Sequence, residues 1–454
     1  MKPGALFLTS WLGVAGAWGG DFRLAFDAAL LQDATYQAAR ADLASSLQNL
    51  PIARAGLRPS LNLSISDSKV DGTRTIDNPP FPPVTTPLDY RSPAQSLNFR
   101  APLYNREAGK KIEVAQAQEN YAQAVLTVRR IELADRLAKT WLDGLLAEQS
   151  LRAARLQLQA TQALSDLARR RLALGEGTRP EQADAESAQV IALAQVQEAL
   201  SQRNLAVLTL QQMTAFSAEH LSSSLSATGQ TTAASSQDIS IRPDSLADLL
   251  ANADAHNANV AARRYAVATA QAAVGRASAG HYPRLDFVAS VSQASNESLS
   301  TVNQSANQRS FGLQFNWPLY SGGAVSAGVA QALADQNRAE AELVAEQQNV
   351  AKEVTRYYFA VVNGATKIKA QLQAVDSARL ALEGAQKGLL TGFTSQQDVA
   401  QGQRRLAQSR QDWAQTVQEY LLAKVRLQAR TGVDTPGMVA VLDELLTSPL
   451  LNTP

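Results

Sequence analysis

The chain holds only three histidines, His220, His256 and His281, and their wide separation gives no metal-ligand spacing. It has no cysteine, which excludes a disulfide scaffold, a thiolate metal site, a cysteine nucleophile and an acylated N-terminal Cys. No nucleophile elbow, Walker loop or dinucleotide fingerprint occurs, and most acids lie along helical faces among Arg and Lys, where i,i+4 pairing is the default. These residues point to no enzyme, no cofactor and no metal. A second group of side chains suits ion contact and interfaces instead. Asp398 follows a turn in which Thr394 or Ser395 can cap a helix, and an acid in that first turn is favoured by the helix dipole. Arg169, Arg170 and Arg171 precede an earlier turn and read as a solvated basic face or as a brace for that turn. Tyr104, Tyr282, Trp317 and Tyr320 recur where patterns of period two meet patterns of period seven.

The elements that position these residues are stated twice. Residues 96–105 (SLNFRAPLYN) and 311–323 (FGLQFNWPLYSGG) each alternate apolar and polar positions, then pass through Pro-Leu-Tyr into a long heptad-patterned stretch. Pro59 matches Pro283, Pro102-Leu103-Tyr104 matches Pro318-Leu319-Tyr320, and Gly175 matches Gly392, at an offset of roughly 220 residues, so the chain is an internal duplication. Residues 1–17 have the charge, apolar stretch and Ala15-Gly16-Ala17 site of a secretory signal. Short helices are expected over 18–58, ending near Pro51. Strands are expected over 59–103, with an exposed Asp-Gly- and Pro-rich loop at 67–91. A long helical hairpin covers 104–214 and an irregular connector 215–245. The second copy gives helices over 246–282, strands over 283–319 with a loop at 295–308, a hairpin over 320–432 and a tail over 433–454.

Heptads mark both hairpins. Val354, Val361, Ile368, Val375, Leu382 and Leu389 recur at sevens, as do Val399, Leu406, Trp413, Tyr420 and Leu427, and Leu193, Leu200 and Val207 with Ala192, Ala199 and Ala206 beside them. Lys plus Arg (42) nearly balance Asp plus Glu (41), which speaks against a nucleic-acid partner. After residue 17 no stretch approaches the roughly 18 apolar residues of a spanning helix, so any membrane crossing must use strands. In lipid, strands must close a barrel. Four per chain then require an oligomer: three copies give twelve, and two or four copies also satisfy the arithmetic. Polar faces carrying Asn62, Ser64, Arg100, Asp286, Ser290, Gln314 and Asn316 would line a lumen. Tyr104, Tyr282, Trp317 and Tyr320 would form the membrane-interface girdle. Two other layouts fit periodicity alone: a soluble β-layer buried against helices, and a closed antiparallel bundle. A structural coiled-coil protein of the periplasm or surface is the alternative of another class.

The paired PLYN and PLYSGG junctions, the turns with Gly175 six residues before Glu181 and Gly392 six before Asp398, and the opening LAFDAALLQDATYQAARAD resemble the TolC family of outer-membrane channel-tunnel proteins. The resemblance covers the whole chain beyond the signal. It implies an α+β membrane protein: a homotrimer with a twelve-stranded barrel in outer-membrane lipid, continued into the periplasm of a Gram-negative bacterium by a coiled-coil helical barrel. It implies passive conduction, a periplasmic adaptor and an inner-membrane transporter of ABC type. Type I protein secretion fits the pattern best, with multidrug efflux the alternative. The resemblance places a periplasmic constriction at Asp398. Gln401 stands where a second acid is common, giving three carboxylates per ring. It places adaptor-contact tips at Gly175, Glu181, Gly392 and Thr394. The glycines also read simply as helix-ending residues.

Overall fold

The computed structural model describes residues 21–228, 245–296, 304–391, 393–433 and 435–447; the expected signal at 1–17, the middle of the expected connector and Gly392 lie outside these. The chain divides into two compact units.

One unit takes residues 41–125 and 261–346 and contains the sheet. Its strands are β1 (Ser60–Asn78), β2 (Phe81–Asn105), β3 (Arg284–Asn296) and β4 (Gln304–Asn316), antiparallel in the order β1-β2-β3-β4. The register aligns like with like. Leu61 faces Phe99, Phe99 faces Ala289, and Ala289 faces Phe311. One residue along, Asn62, Asn98, Ser290 and Ser310 share a row. The sheet therefore has one apolar and one polar face, because successive side chains alternate. The apolar face is bare within the chain: Phe311 is 83% exposed and Leu313 66%.

The expected loop at 67–91 is instead ladder. β1 and β2 remain paired from Ser60↔Arg100 to Asn78↔Phe81, beyond the last β2–β3 pair, Ala94↔Ala294. Cross-strand pairs sustain this ribbon: Lys69 to Asp89 at 3.2 Å, Arg91 to Asp67, and the Thr75 and Thr85 hydroxyls at 2.9 Å. The reversal at Pro79-Pro80 accommodates residues without a backbone donor, where no ladder bond is required. Of the second expected loop, 295–296 and 304–308 are also strand and 297–303 lies outside the described residues. β2 carries a bulge: Pro102 pairs with Asp286 and Tyr104 with Leu285, so Leu103 is the extra residue.

The other unit takes the described parts of 1–40, 126–260 and 347–454 and is helical; the helical residues within 41–55, 106–125, 261–278 and 324–346 belong to the first unit. The short helices expected over 18–58 are three. α1 (Asp21–Gln32), α2 (Ala34–Leu47) and α3 (Asn49–Ala55) are separate, and Pro51 lies inside α3 near its start, where a missing N–H costs nothing. Asp33 makes the first break. Burial opposes its charge, but the carboxylate is held below its usual range by accepting first the Thr35 hydroxyl, then the Tyr36 backbone N–H at 2.8 Å and Arg136 at 2.9 Å. Asn257 does the same between α7 (Leu246–His256) and α8 (Ala258–Ser278), accepting the backbone N–H of Asn259 at 2.9 Å.

The hairpins are α4 (Arg106–Ala173) with α5 (Arg179–Thr214), and α9 (Ala324–Thr391) with α10 (Gln396–Arg430). α4 and α9 each have 68 residues, about 100 Å at 1.5 Å per residue. Burial follows the heptads: Val354, Val361, Ile368 and Val375 on α9, and Val399, Leu406, Trp413, Tyr420 and Leu427 on α10, are buried. On α5 Ala192, Ala199 and Val207 are buried, with Leu210 and Met213 beyond them, while Leu193 is half exposed. The small residues at 192 and 199 permit a close approach that leaves Leu193 outside. Trp141 packs edge-on against Phe22 with centroids 5.8 Å apart. Two further helices occupy the expected connector and tail. α6 (Ala218–Thr228) buries Leu221 and Leu225, and α11 (Thr435–Thr447) packs on α1 and α10 through Met438, Val439 and Leu442.

Candidate functional site: two hairpin tips and the aromatic end of the sheet

At the first tip α4 closes on itself. Glu176 and Gly177 both donate their backbone N–H to the Arg171 carbonyl, at 2.9 and 3.1 Å. Gly175 has φ +79°, a left-handed conformation open to glycine at no steric cost. Thr178 then starts α5 with a reciprocal capping box. Its hydroxyl accepts the Glu181 backbone N–H at 3.4 Å, and its own backbone N–H donates to the Glu181 carboxylate at 2.9 Å. That backbone donor, followed by the Thr178 hydroxyl, holds Glu181 below its usual carboxylate range. Arg169 reaches from α4 to Glu186 of α5 at 2.9 Å, so this one of the three arginines braces the hairpin. Glu186 is also lowered, first by the Gln182 amide and then by Arg169.

The second tip repeats the box with different surroundings. The Ser395 backbone N–H and hydroxyl donate to the Asp398 carboxylate at 2.8 and 2.7 Å, and the Asp398 backbone N–H returns to the Ser395 hydroxyl at 3.2 Å. The Ser395 hydroxyl and then its N–H keep Asp398 ionised below its usual range. Ser395, not Thr394, is the cap. The Thr394 hydroxyl donates back to the Ala385 carbonyl at 2.7 Å, and the Phe393 N–H donates to the Gly388 carbonyl at 2.9 Å. A Cβ on Gly388 would lie 2.8 Å from Thr394 Cγ2. Gln401 is exposed one turn along α10. Asp398 is thus an exposed, ionised carboxylate whose local partner is its own helix start.

Sequence reasoning singled out the acids of both tips but missed Thr178, Gly388 and Glu186. The S/T-x-x-D/E spacing was the available signal for the first; the other two answer to side chains across a hairpin.

The four aromatic residues expected to mark a membrane interface gather at the helix-side end of the sheet. Tyr104 sits opposite Leu285 in β2, Tyr282 stands two residues before β3, and Trp317 follows β4 directly. Trp317 donates its indole N–H to the His281 carbonyl at 3.1 Å, and the Arg106 guanidinium stacks 3.9 Å above the Tyr282 ring. Tyr320 is 88% exposed beyond β4. Amphipathic rings of this kind suit a boundary between lipid and water. Among the described residues no group of His, Cys, Asp and Glu could hold a metal, and no helix is long and apolar enough to cross a membrane.

Comparison with known proteins agrees with this arrangement. The family model described as outer membrane efflux protein matches residues 25–215 and 249–433. The Dickeya chrysanthemi protein named proteases secretion protein PrtF is 29% identical over 471 residues, covering 100% of this chain and 97% of its own. The alkaline protease secretion protein AprF of Pseudomonas aeruginosa is 27% identical, covering 89% and 83%. The crystal structure of the Vibrio cholerae outer membrane protein VceC has the same fold, with a TM-score of 0.69 and 17% identity across 91% of this chain and 96% of that one. With both repeats matched by one family model, the chain belongs to the outer membrane efflux protein family, as an α+β channel that sits in the outer membrane and extends into the periplasm.

Proposed function

We propose that three copies of this chain close one twelve-stranded barrel and act as the exit duct of a type I protein secretion system. The observation that carries the reading is the sheet register. It gathers apolar side chains on one face and polar ones on the other, while β1 and β4, at the ends of the order, keep an open ladder edge. In lipid an open edge is untenable, so a neighbouring copy's β4 pairs with β1. The exposed apolar stripe on α5, with Val190 67% exposed and Leu205 64%, supports coverage by a second copy. Substrate passes down the polar face passively. A periplasmic adaptor grips the tips around Gly175, Glu181, Gly392 and Thr394, and an ABC-type inner-membrane transporter supplies the energy. Asp398 forms a three-carboxylate constriction beside Gln401, and Tyr104, Tyr282, Trp317 and Tyr320 mark the membrane interface. The cargo class follows the two relatives named for protease secretion.

The family description, outer membrane efflux protein, favours a second reading in which the same duct serves drug export. Deleting the gene separates them. Loss of an extracellular protein with unchanged drug sensitivity is expected, and the reverse pattern would favour efflux. Purified protein should insert into planar bilayers as a conducting channel; a fully soluble protein without conductance would end the duct reading. Asp398→Asn should weaken block by multivalent cations in single-channel recordings, and unchanged block would remove Asp398 from the constriction.

A further inference from the structure

We infer that the helix-side end of the polar sheet face carries a basic selectivity belt, made by Arg100 and Arg284 over the buried acid Asp286, which favours anionic solutes and acidic polypeptide segments over basic ones. This deepens the duct reading, since it rests on that face lining the lumen.

Most of this face carries no charge. Over the four-stranded part, its side chains are almost all small or neutral: Ser60, Asn62 and Ser64 on β1, Asn98 and Ser96 on β2, Ser290 and Ser292 on β3, Gln314, Gly312 and Ser310 on β4. The charged residues on this face are Arg100, Arg284 and Asp286, all near the end where the helices begin.

Their exposure is unequal. The Asp286 side chain is 2% exposed, whereas that of Arg100, which donates to it at 2.5 Å, is 49% exposed. The second Asp286 oxygen, Oδ1, is buried without a hydrogen-bond partner. The acid is therefore hidden beneath its guanidinium, and a solute on this face meets the cation. Arg284 adds an exposed cation with no ion pair among the described residues. It lines a recess of about 200 Å³ with Asn105, Glu107 and Asn316. The bulge at Leu103 brings Asn105 onto this face, opposite Arg284. Glu107 of α4 also lines the recess, and its charge is offset by the neighbouring Arg106, whose guanidinium lies over the Tyr282 ring.

Each chain thus presents one net positive charge here. Symmetry repeats it around the wall, where confinement between low-dielectric walls strengthens its field. Rings of Arg or Lys are how pores favour anions.

The test is reversal potential in planar bilayers under a KCl gradient, with purified full-length protein. Arg284→Gln should shift the chloride-to-potassium permeability ratio toward potassium by about twofold. Asp286→Asn, which leaves Arg100 unneutralised, should shift it toward chloride. Arg100→Lys keeps the charge and should leave the ratio near wild type. Shifts of opposite sign for the first two support the belt. An unchanged ratio in either, or shifts of the same sign, at wild-type conductance overturns it. Absence of conductance in the wild type would instead overturn the duct reading, and the belt with it.

Discussion

At the first hairpin tip the Arg169 guanidinium crosses from α4 to Glu186 on α5 at 2.9 Å. At the second, among the described residues, no ion pair joins α9 to α10 on the tip side of Lys367–Glu419, and closure depends on Thr394 folding back to Ala385 over Gly388. Both tips then begin their return helix with the same reciprocal box, Thr178–Glu181 and Ser395–Asp398. The duplication has kept the cap and changed the clasp. A charged clasp yields to salt and acid, whereas a packed one yields to an added methyl group. The two tips should therefore respond to different perturbations. Because the chain has no cysteine, single labels at Arg179→Cys and Gln397→Cys can report each tip separately by the mobility of an attached nitroxide.

The largest separation should come from Gly388→Ala. Its Cβ would sit 2.8 Å from Thr394, so the side chain must turn and abandon Ala385. Overpacking of this kind costs about 1–3 kcal/mol. The label at residue 397 should become mobile and that at 179 should not; equal mobility would break the distinction. The caps come next. Thr178→Ala and Ser395→Ala should each loosen their own helix start by about 1 kcal/mol, read as faster amide exchange in the first turn. A much larger effect at one tip would mean the boxes are not equivalent.

Acidification follows. Glu181, Glu186 and Asp398 all have lowered folded values, so their stabilisation is complete above the ordinary carboxylate range and is lost as pH falls through the lowered ones. The first tip should loosen with two protonations and the second with one. Loosening on raising the pH would contradict the assignment. The smallest effect should come from Arg169→Gln, since an exposed pair contributes little and is screened by salt. It should mobilise only the label at 179, and added salt should reproduce it in the wild type.

Much of this architecture was legible in the sequence because two periodicities dictate it. Alternation at Leu61, Phe99, Phe287 and Phe311 specified the apolar face, since a slip of one residue would expose it to the other side. Heptads at Val354 and Trp413 specified the hairpin seams. What escaped depends on partners distant in sequence. Residues 67–91 carry turn-forming dipeptides, but pairs such as Lys69 with Asp89 keep them in the ladder. α6 and α11 are too short to show a period, and burial of Leu221 and Met438 makes them helices. The break at Asp33 needs Arg136, and the clasp at Arg169 needs Glu186. That Arg100 and Asp286 share the polar face was readable, but not that one side chain would be half exposed and the other hidden.

The extra residue at Leu103 works as a phase shifter. Before it, odd-numbered side chains of β2 lie on the apolar face; at Asn105 the odd number has crossed to the polar one, facing Arg284. There the Asn105 carboxamide oxygen accepts the Ala108 backbone N–H at 3.0 Å and opens α4. Were Leu103 instead absorbed into a regular ladder, Tyr104 would turn to the polar face and Asn105, with the helix start, to the apolar one. The handover from wall to tunnel is thus kept in step by a single count.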